Sequence, residues 1–252
     1  MSDDVLLQAD RLTKSFAGFV AVNNVSLEVR RGTIHALIGP NGAGKTTLFN
    51  LLTRVLAVTS GRILYKGRDI TAARAHDVAR LGIVRSFQIS AIFPHLTALE
   101  NVRIALQRFR SDSYAFWRSD AALEALNGKA RTFLAEVGLE ADANRPAAEL
   151  PYGRKRALEL ATTLALEPEL LLLDEPTSGM AHEDVGPVVA LIRRVAASRT
   201  VLMVEHNLLV VADLSHRITV MQRGEILADG AYREVARDPA VIEAYMGAHH
   251  ER

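Results

Sequence analysis

Eight residues, Gly39-Pro40-Asn41-Gly42-Ala43-Gly44-Lys45-Thr46, have the types and spacing to hold a run of phosphates. They fit G-x-x-x-x-G-K-[ST]. Glycines let backbone N–H groups turn inward and approach anionic oxygen closely. Lys45 brings a point charge toward the terminal phosphates, the Thr46 hydroxyl suits Mg²⁺, and Thr47 offers a further phosphate contact. Downstream, Leu170-Leu171-Leu172-Leu173-Asp174-Glu175 ends in two carboxylates. Asp174 suits Mg²⁺, directly or through water. Glu175 suits a general base that polarises an attacking water. The two segments together imply hydrolysis of a nucleoside triphosphate.

That chemistry needs a scaffold. Thr33–Ile38 reads as a buried strand entering the loop, and Gly44–Leu52 as the helix leaving it, with Leu48, Leu51 and Leu52 on one face. The helix N-terminus adds its positive dipole end. Four leucines before Asp174 suit a central strand of a parallel sheet, buried on both faces. A carboxylate at the C-terminal end of such a strand emerges where open α/β sheets bind ligands. Val5–Ala9, Val20–Val22 and Ser26–Arg30 have short β patterns that suit an N-terminal antiparallel sheet. Gly61–Gly67 is a further strand bounded by glycines. From about Ser90 the pattern turns helical: Leu126, Ala130, Phe133, Leu134 and Val137 share a face, and Gly138 can cap its end. The strand-and-helix pattern resumes near Pro168. Val185, Val188, Val189, Ile192 and Val195 form a helical stripe, Thr200–Val204 a buried strand, and Gln222-Arg223-Gly224 a turn between Ile218–Met221 and Glu225–Ala228.

Between the two phosphate-handling motifs lies Leu150-Pro151-Tyr152-Gly153-Arg154-Lys155-Arg156. It resembles the signature of ATP-binding cassette (ABC) ATPases, usually Leu-Ser-Gly-Gly-Gln. Other family stations occur in the expected order over nearly the whole chain. The resemblance implies a P-loop NTPase (RecA-like) α/β core with an N-terminal antiparallel β-subdomain and an inserted α-helical subdomain. It implies one ABC ATPase domain over 1–252, with core about 1–89 and 166–252 and the insertion about 90–165. It implies ATP and Mg²⁺ as cofactors. Phe16 matches the aromatic that stacks on adenine. Gln88 matches the glutamine that joins the nucleotide and Mg²⁺ site to a transmembrane partner. His206 matches the histidine that contacts the γ-phosphate. Tyr152 and Gly153 would face ATP held by a second cassette. Taken singly, Phe16 reads as core filling, Gln88 as a solvated loop residue and His206 as structural; their common order carries the functional reading.

The chain departs from the usual pattern in places. Pro151 replaces the signature serine and supplies neither hydroxyl nor N–H. Arg154 replaces glutamine and adds a positive charge. Ala181, in Ser178-Gly179-Met180-Ala181, replaces an aspartate. A finer resemblance softens these differences. The stretches Gly39–Asn50, Arg85–Asn101, Leu150–Glu159 and Asp238–Gly247 resemble branched-chain amino acid importer ATPases, in which a non-serine second and a tyrosine third signature residue are common. This implies an ATP-hydrolysing importer subunit for branched-chain or other hydrophobic amino acids. Its partners would be transmembrane permease subunits, a second ABC ATPase subunit (a homo- or heterodimer) and, indirectly, a substrate-binding protein. Ile92–Asn101 lies where a cassette receives its membrane partner; Ile92, Phe93 and Leu96 equally suit packing within the lobe. Rival classes are an exporter ATPase of the lipopolysaccharide-export type, which normally retains Ser-Gly-Gly, and a soluble ABC ATPase, which usually carries tandem cassettes or long insertions.

The bulk numbers bound the rest. The chain has 252 residues, 49% hydrophobic, enough for a large core. A net charge of +1 gives no argument for nucleic acid. The absence of cysteine excludes disulfides and thiolate metal sites. No apolar run approaches the roughly 18 residues of a membrane span. The acidic start, Met1-Ser2-Asp3-Asp4, lacks the pattern of a signal peptide. The expected location is cytoplasmic, peripheral on the inner face of the cell membrane.

Overall fold

The computed structural model describes residues 4–86, 92–107 and 120–247. Gln88, which by resemblance belongs to the Mg²⁺ and catalytic set, lies outside the described residues. The strands are β1 (Val5–Phe16), β2 (Phe19–Arg30), β3 (Ile34–Ile38), β4 (Ser60–Tyr65), β5 (Arg68–Asp69), β6 (Ile83–Arg85), β7 (Leu170–Asp174), β8 (Thr200–Val204), β9 (Arg217–Gln222) and β10 (Glu225–Gly230). The helices are α1 (Lys45–Leu52), α2 (Ala75–Arg80), α3 (Ala98–Gln107), α4 (Asp120–Glu136), α5 (Tyr152–Leu164), α6 (His182–Ala196), α7 (Leu208–Leu214), α8 (Tyr232–Val235) and α9 (Pro239–Gly247). They divide into two compact units. The first comprises Met1–Ile83, Glu169–Gly179 and Ala196–Arg252; the second comprises Val84–Pro168 and Met180–Val195.

The first unit is built on two sheets. One is antiparallel, ordered β2-β1-β4-β5. The other is ordered β10-β9-β3-β8-β7-β6, with β9, β3, β8 and β7 mutually parallel and β10 antiparallel at one edge. Every residue of β3 and β8 is buried, and so are the four leucines of β7. Continuous apolar runs of this kind belong to strands covered on both faces. Leu172 lies opposite Leu202, and Ala36 opposite Met203. Leu48, Phe49, Leu51 and Leu52 bring α1 into the same core, alongside Leu37, Leu172, Leu202 and Met221. The β9–β10 turn has Arg223 and Gly224 at φ 49° and 84°. That is the handedness a two-residue hairpin requires.

The β1 and β2 strands run longer than their alternation suggests. Register shifts interrupt the β1–β2 pairing, and Arg11 and Asn24 take φ near 50°. A bulge adds a residue and breaks the period of two, so the reading found fragments of each strand.

The second unit is helical. Thr97 and Glu100 form a reciprocal cap at the start of α3: Glu100 Oε2 accepts from Thr97 N at 2.8 Å, and Thr97 Oγ1 accepts from Glu100 N at 3.2 Å. The α4 helix buries Ala130, Phe133 and Leu134, followed by Val137. It ends in a Schellman arrangement, with Leu139 N donating to Leu134 O at 2.7 Å and Gly138 N to Ala135 O at 3.0 Å. The α5 helix buries Ala157, Leu158, Leu160, Ala161 and Leu164. It also buries Glu159, which accepts from Ser86 Oγ at 2.7 Å and from Arg156 Nη1 at 2.6 Å.

His35 lies on β3, 1% exposed, with its Nε2 2.8 Å from Thr219 Oγ1. Burial pushes its imidazole down from 6.5 to about 4, against the opposing pull of Asp229. The unfolded chain therefore binds the extra proton first as pH falls. Stability should be whole above about pH 6.5 and decline toward pH 4. Replacing His35 by Leu should flatten that part of the Tm–pH curve, a change readable by thermal melts across the interval.

Candidate functional site

The phosphate loop joins β3 to α1. Gly39 and Gly44 take φ of 147° and 100°, and each is hemmed in by backbone. A Cβ on Gly39 would stand 2.1 Å from Met221 O; on Gly44, 2.5 Å from Ala21 O. Gly224 N donates to Ala43 O at 3.0 Å, so the β9–β10 turn braces the loop from behind. Pro40 is half-buried, and Asn41, Gly42 and Thr46 are exposed. The first turn of α1 has no side-chain cap, so no capping side chain takes up its N–H groups. With Gly39 and Gly44 too confined for a side chain, this cradle suits the oxygens of a nucleotide phosphate chain.

Lys45 is buried within this loop. Its ammonium donates to Gly39 O at 2.7 Å and Pro40 O at 2.9 Å. Burial holds its pKa below the ordinary value, while the charges of Glu175 and Asp174 pull it back up. The carboxylates reach Lys45 because β8 alone separates β7 from β3, and all three run in one direction. Asp174 ends β7, half-buried; Thr46, in the first turn of α1, is exposed. Among the described residues, no group of three or more acidic or imidazole side chains converges to hold a metal. One carboxylate and one hydroxyl nevertheless fit Mg²⁺, which keeps waters and phosphate oxygens as its other ligands.

Glu175 has φ 48°, a conformation that costs a non-glycine residue about 1–2 kcal/mol. Its N–H donates to Val204 O at 2.9 Å, which extends the β7–β8 ladder, and its carbonyl accepts from Ser178 N at 3.0 Å. Glu175 Oε1 lies 2.6 Å from His206 Nε2. The structure thus brings Lys45, Asp174, Glu175 and His206 into one neighbourhood of the first unit.

Phe16 ends β1, its ring 42% exposed. That exposure speaks against simple core filling. The Lys14 ammonium lies 4.9 Å from the ring centroid and is tethered to Ala57 O at 2.9 Å. Tyr152 and Gly153 open α5 in the second unit. Pro151 sits at the N-cap with no side-chain cap, and Tyr152 is exposed. Arg154 forms an ion pair with Asp142, which offsets the charge it adds to the signature.

Sequence reasoning missed three contributors. Glu205 is buried and bonded to the loops after β7 and β8. Gly224 braces the phosphate loop, a role that only the sheet order reveals. Tyr245, on α9, has its hydroxyl pushed up to about 12 by burial, against a hydrogen bond from the backbone of Gly39. Asn207 carried a readable signal: a capping residue before an apolar run. Its Oδ1 accepts from Leu209 N at 3.1 Å and caps α7.

A family model described as ABC transporter matches residues 22–178, and one described as Branched-chain amino acid ATP-binding cassette transporter matches residues 225–251. The high-affinity branched-chain amino acid transport ATP-binding protein BraF of Pseudomonas aeruginosa is 38% identical, over 96% of this chain and 98% of its own length. LivG of Escherichia coli K12, of the same description, is also 38% identical over the same shares. Among solved structures, a nucleotide-free ATP-binding cassette from an ABC transporter superposes with a TM-score of 0.85 at 30% identity, over 96% of this chain and 98% of that one. A cassette in its ADP conformation gives the same score and identity, over 96% and 99%.

The cradle geometry separates three glycines. Gly39→Ala and Gly44→Ala drive a methyl into backbone oxygen that cannot swing away. Both should lose ATP binding and lower Tm sharply. Gly42 has open space around its Cβ position and φ 77°, so Gly42→Ala should cost only the left-handed strain of about 1–2 kcal/mol. Melting curves and titration with a fluorescent ATP analogue would rank the three.

Proposed function

The chain belongs to the ABC transporter family as an ATP-hydrolysing importer subunit, and from that premise we propose that it powers uptake of branched-chain amino acids. The single observation that carries the catalytic assignment is the Glu175–His206 hydrogen bond in the neighbourhood of the lysine-bearing loop. The backbone N–H groups of Gly39–Thr46 cradle the phosphates, and Thr47 adds a contact. Lys45 exchanges its carbonyl partners for phosphate oxygens. Thr46 and Asp174 hold Mg²⁺, which supplies charge neutralisation when bound. Glu175 polarises the attacking water, and His206 holds the Glu175 carboxylate in place and reaches the γ-phosphate. Phe16 offers a ring face to adenine. Gln88 completes the Mg²⁺ and catalytic set by resemblance alone.

We read the chain as one ABC ATPase domain, with core about 1–89 and 166–252 and helical insertion about 90–165. Tyr152 and Gly153, at the uncapped start of α5, present N–H groups to ATP held by a second cassette, identical or related. ATP then acts as an interfacial ligand, and its hydrolysis lets the two surfaces part. Transmembrane permease subunits dock at Ile92–Asn101. Phe93 is 51% exposed there, and Asn101 holds the preceding loop by bonds to Phe93 N at 2.8 Å and Thr97 O at 2.9 Å. An exposed aromatic on a tied-down loop suits docking better than packing within the lobe. Among the described residues, no helix is long and apolar enough to cross a membrane. Attachment to the inner membrane face would come through the permease, with a substrate-binding protein as an indirect partner. The exporter and soluble-factor readings find no support among these relatives, whose names specify branched-chain amino acid transport.

Glu175→Gln should retain ATP binding and cut turnover by about a hundredfold or more. Steady-state ATPase assays with a parallel binding titration check this, and undiminished turnover would remove Glu175 from its role. For the cargo, cells lacking this chain should lose uptake of radiolabelled leucine, isoleucine and valine. Normal uptake of all three, with loss of an amide, urea or an aromatic acid, would overturn the cargo assignment.

A further inference from the structure

We propose that Glu205 is the positioning residue of the hydrolytic site, fixing the distance between Glu175 and His206 by joining the loops that carry them. The inference rests on the reading that Glu175 and His206 act on ATP.

Glu205 directly follows the all-buried strand β8 and is itself 2% exposed. A carboxylate seldom lies that deep unless its oxygens are matched. Here both are matched in full. Oε1 accepts from Thr177 N at 3.0 Å and from the Thr177 hydroxyl. Oε2 accepts from His206 N at 2.7 Å and Asn207 N at 3.0 Å. Four donors fill the four lone-pair directions that a carboxylate offers.

The donors identify the role. Thr177 stands two residues beyond Glu175, in the turn closed by Ser178 N donating to Glu175 O at 3.0 Å. His206 and Asn207 belong to the other loop, and Asn207 goes on to cap α7. One side chain therefore ties the turn carrying Glu175 to the backbone of His206 itself. The reward for that alignment is visible between the side chains, where Nε2 and Oε1 meet at 2.6 Å. The other glutamate buried among the described residues is used differently: Glu159 pairs with a guanidinium and a serine within the helical unit. Glu205 is bonded to two backbone loops, and only an acceptor suits its place. A glutamine there would turn an N–H₂ group toward at least one N–H donor.

The test uses the full-length chain, purified with whatever membrane subunits accompany it. Glu205→Gln should lower kcat about ten- to a hundredfold, the scale of an ångström of misplacement. KM for ATP should stay within about twofold, because the cradle is untouched. In a His206→Ala background the same substitution should change kcat by less than about threefold, since the pair it aligns is already gone. An undiminished kcat overturns the proposal. So does an equal fall in both backgrounds, or a rise in KM with kcat intact; each marks Glu205 as merely structural. If Glu205→Gln fails to fold, Thr177→Val removes one donor while keeping shape and N–H. It should cut kcat about three- to tenfold, and an unchanged kcat overturns the proposal. Glu175→Gln, assayed alongside, separates the two levels. Normal turnover there sinks the catalytic reading and this inference together. A dead Glu175→Gln beside an unslowed Glu205→Gln sinks this inference alone.

Discussion

A buried ammonium must have partners, and the first unit is arranged around supplying them to Lys45. Breaking a buried charge away from its partners costs about 3–5 kcal/mol, a large share of a domain's whole stability. Two loop carbonyls, from Gly39 and Pro40, accept from the ammonium, and two carboxylates act on it at longer range. Only a parallel sheet with β3, β8 and β7 side by side delivers loop and carboxylates to the same edge. The continuous apolar runs in those strands are what make that sheet. The chemistry of the site is thus a by-product of how an otherwise costly charge is made tolerable.

The same logic orders the energies around the carboxylates. Glu175 carries backbone strain of about 1–2 kcal/mol. Hydrogen bonds contribute about 0.5–1.5 kcal/mol each, and Glu205 accepts two from Thr177 in the adjoining turn. Such bonds offset the strain, so the turn can hold an unfavourable torsion at the candidate base. Strain of this kind is tolerated because several independent bonds over-determine it.

Much of this was legible in the residues themselves. The phosphate loop, the leucine strand and the carboxylates were readable because local spacing encodes them. So were the α4 face and its terminal Gly138, and the ABC fold class agrees with solved cassettes. What escaped was non-local or aperiodic. Bulges in β1 and β2 concealed the strands' full length. Gly224 and Tyr245 come to the phosphate loop from some two hundred residues away, and no spacing rule spans that distance. Arg154 read as an added charge, yet Asp142, twelve positions earlier, answers it. Glu205 was passed over because a lone carboxylate at a strand end has no signature; only its four donors reveal what it does.

The bracing of the phosphate loop by Met221 and Gly224 bears on synthesis as well as on the finished molecule. Residues 39–46 leave the ribosome long before their supporting hairpin exists. A nascent chain must therefore carry a half-walled cradle, with β3 lacking its β9 neighbour, until β9 has been made. Nucleotide can act as a folding ligand only once β9 and β10 have emerged. For this chain, competence to grip a triphosphate waits on a hairpin far downstream of the loop it braces.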